Sequence, residues 1–222
     1  MTPSIILASS SPRRRELFAL TGWTFEIKPA AIDETPRPGE NPPDYVLRLA
    51  VTKAREAAGQ AERGQFVLAA DTIVADGATL LGKPVDARQA AAMLVRLRGR
   101  VHQVYTAVAL LDPDSGRLLS DLCVSQVPMR AYSHAEMEAY IASGDSLDKA
   151  GAYAIQHAGF RPVEKFAGCF ASVMGLPLCH IARTFQKMGI SPSSQNIPRA
   201  CQAHLGYACP IFTAVLSGET VG

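Results

Sequence analysis

The stretch QFVLAADTIV, residues 65–74, constrains this chain most. Apart from its first residue and Asp71-Thr72 it is apolar at every position, so it reads as a central strand with no solvent face. A sheet built around such a strand must be covered on both sides. The chain must also find a partner for Asp71, because an ionised group buried alone is costly.

The neighbouring segments supply the cover. Residues 5–8 read as a short buried strand, followed by a serine-rich turn. Ser11 is suited to cap a helix with Pro12 at its first position and Gly22 at its end. Residues 28–43 are loop-like and proline-rich, and carry the acidic pair Asp33-Glu34. Asp44 is expected to cap a helix to about Glu62, with Leu47, Val51, Ala54 and Ala58 on its inner face and Lys53 near its middle. Asp76-Gly77 is a hairpin signal, and TLLGKP follows with Lys83 between a glycine and a proline. Asp86 with Gln89 forms a capping box for a helix ending near Gly99, and Ser133 with Glu136 another for a helix stopping at Gly144. Between them, VHQVYTAVALLD and RLLSDLCVSQVPM read as strands joined by the turn Pro113-Asp114-Ser115-Gly116. Residues 145–168 have little regular pattern, and Pro177 opens a last helix through about Met188. This order predicts an α/β fold with a mixed sheet. Residues 1–190 read as one domain. SPSSQNIP then resembles a linker, and residues 191–222 form a C-terminal extension with no assigned role.

A net charge of +2 over 222 residues lacks the basic excess of a nucleic-acid coat, so any basic site must be local. The N-terminus has no signal-peptide pattern, and no run approaches the ~20 apolar residues of a membrane span. A cytoplasmic protein is expected, with no membrane partner and no stable nucleic-acid binding. The five cysteines are odd in number and do not form a secreted disulfide framework. Cys123, Cys169 and Cys179 read as small buried residues. Cys201-x-x-His204-x-x-x-x-Cys209 allows a metal site, a disulfide or plain packing.

Three arginines, Arg13, Arg14 and Arg15, open the first helix. The helix dipole makes each cation unfavourable there by about 0.3–1 kcal/mol unless an anion offsets it. Free N–H groups of a serine-rich turn and guanidinium forks together suit a polyphosphate. Helical periodicity allows only one or two of the arginines to face one ligand, and a solvated helix start is the other reading. No Walker A sequence is present. Asp71 and Glu34 together suit a hard divalent cation such as magnesium, which takes one or two carboxylates plus substrate phosphates. Hydrogen bonding of Asp71 to Thr72 or nearby backbone is the alternative. Lys53 taken alone reads as a solvated helix residue, Lys83 as a positioned one, and His102 as packed or hydrogen-bonded.

In order along the chain stand LASSSPRRREL, DET, LAVTKA, AADTIV, LGKP, HQVYTAV, DKAGAYAIQ and GLPL. This series resembles the Maf family of nucleotide pyrophosphatases over roughly residues 4–189. The resemblance implies an elongated mixed β-sheet with flanking helices and two lobes around a nucleotide-binding cleft. It implies hydrolysis of a nucleoside triphosphate to monophosphate and pyrophosphate with a divalent metal, magnesium or manganese. It assigns the general base to Asp71, phosphate binding to Ser9, Arg14, Lys53 and Lys83, metal binding to Glu34 and Asp71, and base selectivity to Arg13, Thr72 and Gln156. DKAGAYAIQ resembles the branch that acts on dTTP and UTP, and a Gln amide suits the mixed donor and acceptor edge of a pyrimidine. His157 departs from the family, where a glycine is common, and is expected to reshape the base pocket. A pyrophosphatase for 7-methyl-GTP or other modified nucleotides, a non-catalytic nucleotide-binding regulator of septum formation, and a nucleic-acid module are the rival readings. A homodimer is the default expectation for assembly.

Overall fold

The long strand forms as β3 (Gln65–Asp76), and at about 3.3 Å per residue its twelve residues run roughly 40 Å. The computed structural model describes residues 3–191 and 196–222. β1 (Ser4–Leu7) and β2 (Phe25–Ile27) lie parallel to β3 on one side; on the other, β5 (Val101–Leu111) pairs antiparallel with β3 and β6 (Leu118–Pro128) antiparallel with β5. The sheet order is β2-β1-β3-β5-β6, with β4 (Thr79–Leu81) paired antiparallel to the far end of β3. This is the mixed α/β fold that the sequence predicts.

The period of two along each strand explains why β3 is apolar throughout. Ile5, Leu7, Leu68, Ala70, Val108 and Leu110 point to one face, against α1 (Pro12–Ala19) and α6 (Leu178–Lys187). Ile6, Ala8, Val67, Ala69, Ala107 and Ala109 point to the other, against α2 (Pro42–Ala58). The small residues on that second face let α2 approach closely. A third apolar cluster gathers α3 (Ala87–Leu97), α4 (His134–Ala142) and the 3₁₀ turn Ala150–Ala152 around Val74, Leu81 and Val104, at the other end of the sheet. The expected two lobes correspond to these two ends.

Several local expectations need correction. The cap of α2 is Asn41, whose side chain accepts from the Asp44 N–H, and the helix ends at Ala58, not Glu62. Pro42 and Pro43 have no N–H to satisfy, so they fit the first turn and move the start upstream. Its fully buried face is Val46, Leu49, Ala50, Ala54 and Ala57, while Leu47, Val51 and Ala58 are only partly buried at its margin. Gln89 bonds the Val85 N–H, one residue before the Asp86 cap. The Ser133–Glu136 capping box forms as expected.

β2 and α5 (Phe170–Val173) have no counterpart in the sequence expectations, nor do α7 (Ile197–Leu205) and α8 (Phe212–Leu216) of the C-terminal extension. Most of the linker SPSSQNIP, residues 192–195, lies outside the described residues. The extension packs on the first lobe. Ile197 is buried in the core with Phe185, and Arg183 of α6 reaches the Val215 carbonyl at 3.1 Å. Cys201 and Cys209 are free thiols, His204 lies 3.4 Å from Glu16, and no cluster of three or more His, Cys, Asp or Glu side chains placed to hold a metal occurs among the described residues. The metal and disulfide readings of that segment are set aside. Cys123, Cys169 and Cys179 are free and buried, as expected. No helix among the described residues is long and apolar enough to cross a membrane.

Candidate active site

The site begins as a break in one edge of β3. β5 occupies one edge from Val67 to Ala75. On the opposite edge β1 pairs with residues 65–68 and β4 with residues 74–76, so residues 69–73 have no strand beside them. Their backbone groups need partners, and side chains provide them. Arg14 Nη1 donates to the Ala70 carbonyl at 2.8 Å, and the Thr72 N–H donates to Asp71 Oδ1 at 2.8 Å. A cleft of about 740 Å³ opens at this break.

Each residue assigned from the family resemblance lines this cleft: Ser9, Arg13, Arg14, Glu34, Lys53, Asp71, Thr72, Lys83 and Gln156. Asp71 is 8% exposed, so its charge needs partners. Lys53 Nζ donates to Asp71 Oδ2 at 3.0 Å and lies 2.6 Å from Glu34 Oε1. A mid-helix lysine is therefore largely withdrawn from solvent and placed between two carboxylates, because the phase of α2 turns residue 53 toward β3. The Asp71–Thr72 hydrogen bond is also present, so that alternative reading of Asp71 holds alongside the charged one.

Arg14 is more deeply engaged than a free phosphate clamp. Its Nε donates to the Gly175 carbonyl at 2.9 Å and its Nη2 to Thr72 Oγ1 at 3.1 Å, with Asp71 Oδ1 3.9 Å away. Burial pushes its pKa down and the Asp71 charge pushes it back. Arg13 faces Asp148 across the cleft at 3.6 Å, while Arg15 is exposed. The three arginines thus diverge as helical periodicity requires.

The loop with Glu34 is held from α2. Tyr45 Oη donates to the Glu34 carbonyl at 2.6 Å, and Arg48 grips both Glu40 oxygens at 2.6 and 2.7 Å and the Thr35 carbonyl at 3.1 Å. That pairing holds the Glu40 carboxyl down at about 2. Asp33 accepts from the Thr35 N–H, which leaves Glu34 to face the cleft. Ser9 is buried and accepts from the Ser11 N–H at 3.2 Å. Lys83 has no carboxylate within ion-pair distance among the described residues, and the Gly82 carbonyl beside it accepts from the Gly151 N–H at 3.1 Å. Gln156 is exposed at the rim.

Other site residues were not read from the sequence. Lys149 is buried, donates to Asp145 Oδ1 at 2.8 Å and to Asp148 Oδ1 at 2.5 Å, and lines the cleft. Its signal was a lysine flanked by aspartate in an otherwise irregular segment. Thr106, the threonine of the HQVYTAV motif, supports Thr72 through its hydroxyl and bonds the Ser172 carbonyl, for which the sequence held no signal. His157 does not line the cleft. Its Nδ1 accepts from the Phe160 N–H at 2.8 Å and its ring packs edge-on against Tyr140, so it closes a turn and does not reshape the pocket. His102 is packed and hydrogen-bonded to Tyr153 Oη at 2.8 Å, as expected.

The donor set fits a hard divalent cation. Glu34 and Asp71 are oxygen ligands brought to one point, and substrate phosphates and water complete such a shell. The other charged side chains of the cleft are Arg13, Arg14, Lys53, Lys83 and Lys149 against the single carboxylate of Asp148, a cationic excess suited to a polyphosphate.

Residues 4–188 match the family described as Maf-like protein. The chain belongs to that family. A relative from Myxococcus xanthus, named dTTP/UTP pyrophosphatase, is 50% identical over 187 residues, covering 84% of this chain and 93% of its own. One of the same name from Thermomicrobium roseum is 42% identical over 221 residues and covers 98% of each chain, so the C-terminal extension also has a counterpart there. Among solved structures, a HAM1 protein from Coxiella burnetii is 17% identical with a TM-score of 0.46, covering 92% of this chain and 99% of that one, a likeness too slight to bear on function.

Proposed function

We propose that this Maf protein is a nucleoside triphosphate pyrophosphatase that converts dTTP and UTP to the monophosphate and pyrophosphate. The observation that carries the reading is the Glu34–Lys53–Asp71 cluster, with contacts of 2.6 and 3.0 Å, at the break in β3. It sets a buried carboxylate beside cations in a cleft large enough for a nucleotide. The Maf relatives named dTTP/UTP pyrophosphatase supply the substrate class.

In this mechanism Ser9, Lys53, Lys83 and the remaining donors of Arg14 bind the phosphate chain. Asp71 accepts a proton from a water that attacks the α-phosphorus. The bond from that phosphorus to the bridging oxygen breaks, and pyrophosphate leaves with the bonding electrons. Glu34 and Asp71 would hold a divalent cation, which would supply charge neutralisation at the phosphates. Lys53, Lys83 and Arg14 are fixed before reaction, so they stabilise developing charge without reorganising. Gln156 and Arg13 read the base at the rim.

The test is a substrate panel with magnesium or manganese: dTTP, UTP, CTP, GTP and 7-methyl-GTP, with pyrophosphate and monophosphate scored separately. Pyrophosphate from dTTP and UTP, reduced about 10²–10⁴-fold in Asp71→Asn, is the expected result. Preference for 7-methyl-GTP overturns the assignment of Gln156. Wild-type turnover in Asp71→Asn overturns the assignment of the base.

A further inference from the structure

Lys53 holds the two carboxylates that the proposed reaction needs for its metal. Its Nζ lies 2.6 Å from Glu34 Oε1 and 3.0 Å from Asp71 Oδ2. The lysine side chain is 12% exposed and that of Asp71 11%, so water screens the Lys53–Asp71 contact little, while Glu34, 57% exposed, closes on the ammonium from the solvent side. Arg14, 3.9 Å from Asp71, supplies a second positive charge. Two carboxylates, one ammonium and one guanidinium are already neutral together. A dication added to that group meets an ammonium at contact distance, and the repulsion opposes its entry.

Arg14 cannot give way, because its guanidinium is tied to the Ala70 and Gly175 carbonyls. Lys53 can. Its four-carbon stem is flexible and its charge is a point with three rotatable donors, so the ammonium can turn from carboxylates to a phosphate without moving α2.

We propose, on the basis of the pyrophosphatase reading above, that Lys53 stands in for the divalent cation in the nucleotide-free protein. The triphosphate draws the ammonium away, and only then are Glu34 and Asp71 free for the metal. Metal and nucleotide are thereby coupled, each raising the affinity of the other by the same factor. The protein without nucleotide keeps its two carboxylates paired and does not bind a free divalent cation tightly.

The test is a titration of nucleotide-free protein with Mn²⁺ alone, with free Mn²⁺ read by its electron paramagnetic resonance signal. Lys53→Met keeps the apolar stem and removes the charge. It is expected to bind Mn²⁺ about tenfold or more tighter than wild type, and Glu34→Gln added to it is expected to abolish the gain. Equal or weaker binding by Lys53→Met overturns the proposal. A second measurement needs no variant. The acylation rate of Lys53 in wild type, read by peptide mass spectrometry against Lys83, is expected to rise as Mn²⁺ fills the site. An unchanged rate at full occupancy overturns it. The pyrophosphatase reading fails on a separate observation, the absence of pyrophosphate from dTTP and UTP in the presence of Mn²⁺.

Discussion

The hydroxyls of Thr72 and Thr106 lie 3.0 Å apart, and counting donors fixes the direction of the proton between them. Thr106 Oγ1 donates its one proton to the Ser172 carbonyl at 2.8 Å. It can therefore only accept from Thr72. Thr72 Oγ1 in turn accepts from Arg14 Nη2 at 3.1 Å. A one-way chain runs from Arg14 through both threonines to the α5 backbone. Thr72 has no proton to offer a nucleotide, and any role in base reading is that of an acceptor.

Thr72→Val tests this chain. The isostere leaves an Arg14 donor and the Thr106 acceptor unpaired, which costs about 1–3 kcal/mol of stability. Urea denaturation measures the loss. Thr72→Ser restores the chain and is expected to recover most of it. No difference between the valine and serine variants contradicts the assignment.

His102 makes stability depend on pH. Burial pushes its pKa down from 6.5 to about 4, with Asp76 opposing weakly. The unfolded chain takes up a proton near pH 6.5 and the folded chain only near 4, so between these values the unfolded state binds more protons. The contribution is complete above pH 6.5 and is lost as pH falls through that window, by up to about 3 kcal/mol. His102→Gln is expected to flatten the denaturation midpoint between pH 6.5 and 4.5 relative to wild type. Parallel profiles for the two proteins rule this out.

Arg183 of α6, held in place by an ion pair with Asp121 of β6, is one of the contacts that fasten the C-terminal extension, beside Tyr207, whose hydroxyl reaches the Phe166 and Gly168 carbonyls. Arg183 Nη2 meets Asp121 Oδ1 at 2.6 Å, and Asp121 holds the Arg183 pKa up. The same guanidinium donates to the Val215 carbonyl at 3.1 Å and to the Glu219 carbonyl. Arg183→Met leaves the largely buried Asp121 carboxylate without its cation, with the Leu122 N–H and the Thr184 hydroxyl as its remaining donors, and is expected to cost about 3 kcal/mol. Limited proteolysis is expected to cut first within residues 206–222. Initial cleavage elsewhere contradicts the role of Arg183 in holding the extension.

Gly151 ties the two loops that carry Lys83 and Lys149. Its φ is +70°, and an added Cβ would lie 3.0 Å from Val74 Cγ1. Gly151→Ala is strained by about 1–2 kcal/mol in backbone conformation alone, and the contact with Val74 adds to it. The strain is relieved by moving the Gly82–Lys83 turn, so KM for the nucleotide is expected to rise more than kcat falls. A fall in kcat with KM unchanged contradicts this.

By itself the sequence determined the elements and the ingredients of the site. An apolar run over residues 65–74 needs cover on two faces, so β3 had to lie inside an α/β sheet. Ser11 and Ser133 cap their helices through contacts three residues away, which local sequence can specify. The ordered motifs carried the family and its residues. Only the tertiary structure decided how those residues meet. The edge gap at residues 69–73 exists because β1 and β4 pair with separate parts of β3, and strand pairing is not a local property. Arg14 finds its acceptors 56 and 161 residues away, which makes it a strut as much as a ligand. Lys53 reads as a surface lysine until the phase of α2 aims it at Asp71, 18 residues on. Propensities and caps act over a few residues, whereas a buried charge takes its meaning from whichever opposite charge the fold brings within about 4 Å.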